Sequence, residues 1–277
     1  MIVDTHTHVN CTDTGRYPRS PRGVGSDWWR HDDHGAATLL GAMDAAGVDR
    51  AVVVQAVGPY GYDCRCALDE AARSPQRLSL VVAVDLAAPE PARALRELAA
   101  AAPLAGIRLF GIGDDDSWLE DGTGAAMWDA AGELGLTVVP VVFPRHVPLV
   151  SALVAAHPGV AVAMDHAGFP DMPLTDDAPI LGMAELPDVY LKVSSHVLEG
   201  AADPGALVGR LAQAFGAERL CWGSDYPQTS VDYGALVQLG REGAEGLAPA
   251  DREAFLSGTA LRLFPVPGVT GTGRAGS

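Results

Sequence analysis

Eight apolar stretches of strand length alternate with stretches of helical pattern along the chain, and this alternation restricts its fold more than any other feature. The strand candidates are residues 1–10, 51–57, 78–84, 105–110, 136–143, 160–165, 189–194 and 219–223. Helical pattern fills residues 38–46, 63–74, 91–102, 124–134, 147–157, 179–186 and 204–215, with two more helices at 233–243 and 249–263. Several helices stop at Gly47, Gly135 or Gly216, and Pro91 stands in a first turn, where its missing N–H costs nothing. Strands that read as continuous apolar runs are buried on both faces, which is the mark of a parallel sheet. Eight of them close a (β/α)8 TIM barrel, an α/β fold, here as a single domain over residues 1–267 followed by a disordered Gly/Thr tail at 268–277. A doubly wound open sheet would want a G-x-G-x-x-G turn after the first strand, and the sequence has none there.

In a barrel the C-terminal ends of all strands meet at one mouth. The first strand, Met1-Ile2-Val3-Asp4-Thr5-His6-Thr7-His8-Val9-Asn10, alternates polar residues with period two, so Asp4, His6 and His8 are expected on one face. Just past the other apolar runs stand Gln55, Asp85, Arg108, Asp165-His166, Lys192, Ser194, Ser195, His196 and Ser224-Asp225. Imidazoles and carboxylates gathered this way suit metal ligation or proton transfer. Arg108 reads either as a bidentate contact for a substrate carboxylate or carbonyl, or as the ion-pair partner of a barrel acid. Residues 11–35 lack a sustained period and read as a long ordered active-site loop, with Trp28 and Trp29 beside the end of the first strand. That indole pair and the final helices are also the surface offered for a homodimer. Asp114 to Asp116 reads as a solvated turn.

A net charge of −16 leaves little for a phosphate backbone, so nucleic acid is not an expected partner. No apolar run reaches the roughly 20 residues that span a bilayer, and no signal-peptide pattern follows Met1. The expected location is therefore the cytoplasm. There Cys11, Cys64, Cys66 and Cys221 are expected as free thiols. The Cys64-Arg65-Cys66 pair lacks the second pair that a zinc finger needs.

Asp4-Thr5-His6-Thr7-His8, Asp165-His166-Ala167-Gly168, Leu191-Lys192-Val193-Ser194 and Trp222-Gly223-Ser224-Asp225-Tyr226-Pro227 together resemble the amidohydrolase superfamily. The resemblance is to its amidohydrolase-related branch, which holds pyrone-dicarboxylate lactonase, sugar-acid lactonases and metal-dependent aromatic decarboxylases. Tyr62-Asp63, Leu68-Asp69 and Pro75-Gln76-Arg77 are similar to the lactonase side. The resemblance implies that His6 and His8 form the first-strand metal-binding pair, that His166 polarises a carbonyl or relays a proton, and that Asp225 activates water. Arg108 stands where two-metal members carry a bridging lysine carbamate, and the fifth-strand histidine has no match, since His146 lies beyond that strand. Two cofactor states stay open: one divalent ion, zinc first, on His6, His8 and Asp225, or no metal.

The expected activity is hydrolysis of a lactone or similar cyclic ester of a small, carboxylated, anionic metabolite, with Asp225, His166, His6 and His8 catalytic. Arg108, Gln55, Ser194 and His196 are the expected substrate contacts. Non-oxidative decarboxylation of an aromatic or unsaturated acid is the rival chemistry, and a barrel that binds or rearranges a ligand without hydrolysis is the rival class.

Overall fold

The computed structural model describes residues 1–22, 26–30, 34–112 and 116–265. Its strands are β1 (Val3–Thr7), β2 (Arg50–Val54), β3 (Leu78–Ala83), β4 (Gly106–Gly111), β5 (Thr137–Val142), β6 (Val162–Met164), β7 (Val189–Ser194) and β8 (Leu220–Gly223). They pair in sequence order, every pair parallel. The last strand returns to the first. Thr7 bridges Tyr226, His8 N donates to Tyr226 O at 2.8 Å and Asp225 N donates to His6 O at 2.8 Å. The result is a (β/α)8 barrel.

Inside the barrel, Val3, Val52, Val54, Val81, Val139 and Cys221 form a buried apolar column, with Leu263 and Phe264 packed into it from the C-terminal helix. Thr137 Oγ1 donates to Leu263 O at 2.7 Å and Ser79 Oγ to Phe264 O at 3.1 Å, which fastens that plug to β5 and β3. The outer shell, with Leu39, Met43, Trp128, Val150, Leu211 and Phe255 among its buried members, joins helices to strands. Each such side chain contributes roughly 1.5–3 kcal/mol on leaving water. Helix ends follow their residues. Gly47 at φ 71° ends the helix Ala36–Ala46, Gly135 at φ 66° ends Thr123–Leu134, and Asp203 accepts from Ala206 N to start Pro204–Phe215. Two expected helices are subdivided. Residues 179–186 become Pro179–Gly182 followed by a 3-10 turn, and residues 249–263 are interrupted by a π segment at Ala254–Gly258.

The free-thiol expectation is corrected for two cysteines. Cys11 and Cys66 form a disulfide that ties the start of the long loop to the helix Arg65–Ala71. The sequence spacing of 55 residues gave no hint of the pairing, because α/β folding alone brings the two together. The disulfide also removes one support of the cytoplasmic expectation. Cys64 and Cys221 remain free and buried, and burial pushes their thiols up to about 12 and about 11. A thiol reagent should therefore find no fast-reacting cysteine in the native protein, two after unfolding, and four after unfolding with reductant. Four reactive thiols after unfolding without reductant would count against the disulfide. Among the described residues no helix is long and apolar enough to cross a membrane. The expected tail at 268–277, Asp114 and Asp115 lie outside the described residues.

Candidate active site

A cavity of about 280 Å3 opens at the C-terminal ends of the strands, and His8, Arg108, His166, His196 and Asp225 border it. Beneath it, fully buried, lies His6. The first strand does not keep strict alternation. Its register against β2 shifts by one residue between Asp4 and Thr7, as at a β-bulge. Asp4 therefore leaves the face of His6 and His8. Its Oδ1 accepts from His6 N at 3.0 Å and Ser224 N at 2.8 Å, and its Oδ2 accepts from Tyr233 OH at 3.0 Å, tying β1 to β8 and to the outer helix Tyr233–Gly243. Burial raises the Asp4 carboxyl, and these donors pull against it. Gly223 allows the close approach of β8 to β1, because a Cβ there would stand 2.8 Å from His6 Cβ.

His166 and Asp225 are delivered by unusual backbone. His166, Ala167, Gly168 and Phe169 are left-handed in succession, with φ of 51°, 49°, 72° and 50°, and Asp225 has φ 61°. Non-glycine residues in this region cost on the order of 1–2 kcal/mol each, so such runs persist only where the surroundings over-determine them, typically at functional sites. This turn brings the His166 and Phe169 rings to 4.7 Å.

The polar atoms then converge. Asp225 Oδ1 stands 3.4 Å from His8 Nε2 and 3.6 Å from His6 Nε2. Both Asp225 Oδ1 and His6 Nε2 are buried without a hydrogen-bond partner. On their far sides the imidazoles are held: His8 Nδ1 lies 2.9 Å from Val54 O, and His166 Nδ1 lies 2.8 Å from Ser194 Oγ. Burial draws the His166 imidazole down to about 4, so it is neutral near pH 7. Burial would raise the Asp225 carboxyl, but His166, His8 and His6 outweigh it and hold the group ionised.

A buried ion cluster forms the floor. Lys192 Nζ donates to Asp165 Oδ1 at 2.6 Å and lies 3.0 Å from His6 Nδ1, while Arg108 Nε donates to Asp165 Oδ2 at 2.8 Å. Burial and the Lys192 ammonium keep the His6 imidazole well below its usual range, against the pull of Asp165. Asp165 itself is held well below the carboxylate range, because Lys192, His6 and Arg108 overcome its burial.

The long loop reaches this site. Trp28 borders the cavity and lies parallel to His8 at 6.2 Å, whereas Trp29 is buried. Ser26 N donates to Gln228 Oε1 at 3.0 Å, and Asn10 Nδ2 to Trp29 O at 3.1 Å.

Of the expected substrate contacts, His196 and Arg108 border the cavity. Gln55 is turned away and buried, its Nε2 donating to Gly61 O and Asp63 O, and Ser194 serves His166. Asp85 is half-exposed near Arg22, and His146 pairs with Asp116 at 3.1 Å, outside the cavity. Val57, Val141, Phe143 and Phe169 line it without having been singled out, together with Phe110 and Ile112. Their signal was available in the strand ends, where inward positions count whether or not they are polar.

The residues present fit a metal ion. Ligand atoms of His6, His166 and Asp225 lie within 4.8 Å of one another. This trio differs from the expected His6, His8 and Asp225 by exchanging one histidine, with His8 adjoining Asp225. The orphaned His6 Nε2 and Asp225 Oδ1 want a partner, and the Asp165 carboxylate, 3.2 Å from His6 Nδ1, is the usual kind of support behind a ligating histidine.

A parallel (β/α)8 barrel that gathers histidines and an aspartate at its mouth carries a site suited to hydrolysis, with or without a bound ion. The sequence matches the amidohydrolase family over residues 3–266, and the chain belongs to that family. It is 31% identical over 251 residues to L-fucono-1,5-lactonase of Burkholderia ambifaria, covering 84% of this chain and 86% of the relative. The structure of an amidohydrolase from Burkholderia multivorans with bound zinc superposes with a TM-score of 0.77 at 26% identity, covering 96% of this chain and all of the other. A Pseudomonas putida protein named as a candidate 2-pyrone-4,6-dicarboxylic acid hydrolase gives the same TM-score and identity over 96% of this chain and 98% of its own.

Proposed function

We propose that this amidohydrolase opens a lactone by hydrolysis. The observation that carries the reading is the pair of orphaned polar atoms, His6 Nε2 and Asp225 Oδ1, facing each other under a cavity bordered by His8 and His166. Its relatives named as lactonase and pyrone-dicarboxylate hydrolase support it. Asp225, ionised, takes a proton from water, whose oxygen attacks the lactone carbonyl carbon. The carbonyl oxygen gains negative charge. His166 and His8, at the cavity wall, stabilise that charge, and the ring C–O bond then breaks, the proton passing from Asp225 to the leaving alkoxide. Ser194 and Val54 O keep the two imidazoles oriented. Arg108 keeps a terminal nitrogen for the substrate after giving Nε to Asp165, and His196 borders the same space. A divalent ion held by His6, His166 and Asp225, zinc first, would supply Lewis-acid polarisation of the carbonyl and a more acidic water.

The test is acid release from a panel of five- and six-membered lactones, followed with a pH indicator, by protein purified without chelator. Turnover of at least one lactone, with His166→Ala slowed about 100-fold or more, is expected. Release of CO2 from hydroxybenzoates without lactone turnover would assign the site to decarboxylation instead. Elemental analysis of the same preparation should find near-stoichiometric zinc or a similar divalent metal, and its absence from fully active protein would release His6 from ligation.

A further inference from the structure

We infer that the lactone carries an apolar alkyl or aryl substituent, an assignment that rests on the lactonase reading and deepens it. The barrel mouth is divided into two unlike halves. The ends of β1, β6, β7 and β8 present His8, His166, His196, Asp225 and Gln228. Facing them, the segment after β2 presents Val57, the ends of β4 and β5 and the residues just past them present Phe110, Ile112, Val141 and Phe143, and Phe169 closes the arc.

This second half is one continuous surface. Val57, Phe110, Val141, Ile112 and Phe169 belong to a single apolar cluster, and the Phe143 and Phe169 rings stand 5.7 Å apart. None of these side chains can donate or accept a hydrogen bond. A ring bearing several hydroxyls would leave those turned toward this wall without partners, and an unpaired buried hydroxyl is costly. An alkyl chain or an aryl ring gains there by leaving water.

A carboxylated substituent fares no better. Arg108 is the one Lys or Arg among the described lining residues. Its Nε is taken by Asp165, which matches its charge, and its guanidinium lies over the Phe110 ring at 5.5 Å, so only its terminal nitrogens are left to an anion. A carboxylated substituent therefore finds one guanidinium, already matched by Asp165, as its anchor. At about 280 Å3 the cavity lies near the small end of ligand sites, which run from about 300 Å3, and it suits a single ring with a short side chain.

The test measures kcat/KM of the wild-type enzyme on an unsubstituted δ-lactone, on its ring-alkylated series from methyl to butyl, on an aryl-fused δ-lactone, on a sugar δ-lactone and on a carboxylated pyrone. The expected result is a rise of about fourfold per methylene until the wall is covered, with the sugar and carboxylated lactones at least tenfold below the best alkyl or aryl substrate. Val141→Thr keeps the shape of the wall and adds one hydroxyl, and should flatten the rise. A flat series with the sugar or carboxylated lactone preferred overturns the inference and leaves the lactonase reading standing. Hydrolysis of no lactone at all sinks the lactonase reading, and calorimetry with the matching alkyl lactams then decides the wall on its own. Affinity growing with chain length keeps the apolar assignment, and affinity independent of it removes it.

Discussion

Asp225→Asn should lower kcat by about 1,000-fold, within the range of roughly 100- to 10,000-fold expected of a lost general base, while the fold and the substrate KM change little. Three features make this substitution the informative one. Asp225 sits at φ 61°, a conformation that Asn adopts more readily than other non-glycine residues, so the backbone keeps its place. Asn also keeps the size of the side chain between His6, His8 and His166. What it removes is the negative charge and the ability to take a proton. Asp225→Ala would add left-handed strain and an empty space to the same loss, and would not separate them. Steady-state kinetics on the best lactone, with circular dichroism and metal content measured on the same sample, check the prediction. A variant that retains turnover within threefold of wild type would move the base elsewhere, with His8, 3.4 Å away, as the next candidate.

The architecture was legible because it depends on a pattern repeated many times. Each apolar run and each Gly or Pro boundary carries part of the signal, so an error of a residue or two at an end leaves the alternation intact. The site was legible for a related reason: in a parallel barrel, "the end of a strand" is a place in space. His8, His166, His196, Arg108 and Asp225 were found this way, and the structure brings them to one cavity. What was lost follows from single local events. One shift in register between Asp4 and Thr7 breaks period two, so Asp4 goes to the outer layer while His6 and His8 stay with the mouth. Four left-handed residues after Asp165 aim Phe169 into the cavity, and nothing in Asp165-His166-Ala167-Gly168 reports the sign of φ except its glycine. The disulfide joins residues remote in sequence, and cysteine spacing cannot give connectivity. Gln55 follows β2 as Arg108 lies in β4, yet it bonds the backbone of Gly61 and Asp63, a choice made by the turn that follows it. The apolar wall was passed over because apolar residues in strands read as core, and only the cavity distinguishes Phe110 or Val141 from their neighbours.

The buried ion cluster beneath the cavity yields the largest expected effect on stability. Asp165 is the one carboxylate that Lys192 and Arg108 share, and Asp165 and Lys192 are fully buried. Asp165→Asn keeps the shape but leaves two cations facing each other's field without an anion between them, and removing one partner of a buried pair costs about 3–5 kcal/mol. Lys192→Met removes one cation and leaves Asp165 matched to Arg108, with a flexible apolar chain of similar length over the Phe264 ring, so its loss should be smaller. If the ions act as a unit, the double variant should be less destabilised than the sum of the two singles, by about 1–3 kcal/mol. Urea unfolding of the four proteins measures all three differences, and additive effects, or an Asp165→Asn variant within about 1 kcal/mol of wild type, would show that the cluster contributes little. The same set separates support from chemistry. Asp165 stands 3.2 Å from His6 Nδ1 and holds Arg108 by its Nε, so disturbing it should also lower kcat. An ion cluster placed in the barrel core, where apolar packing would serve stability as well, is understandable when its members are the floor on which the cavity's imidazole and guanidinium are fixed.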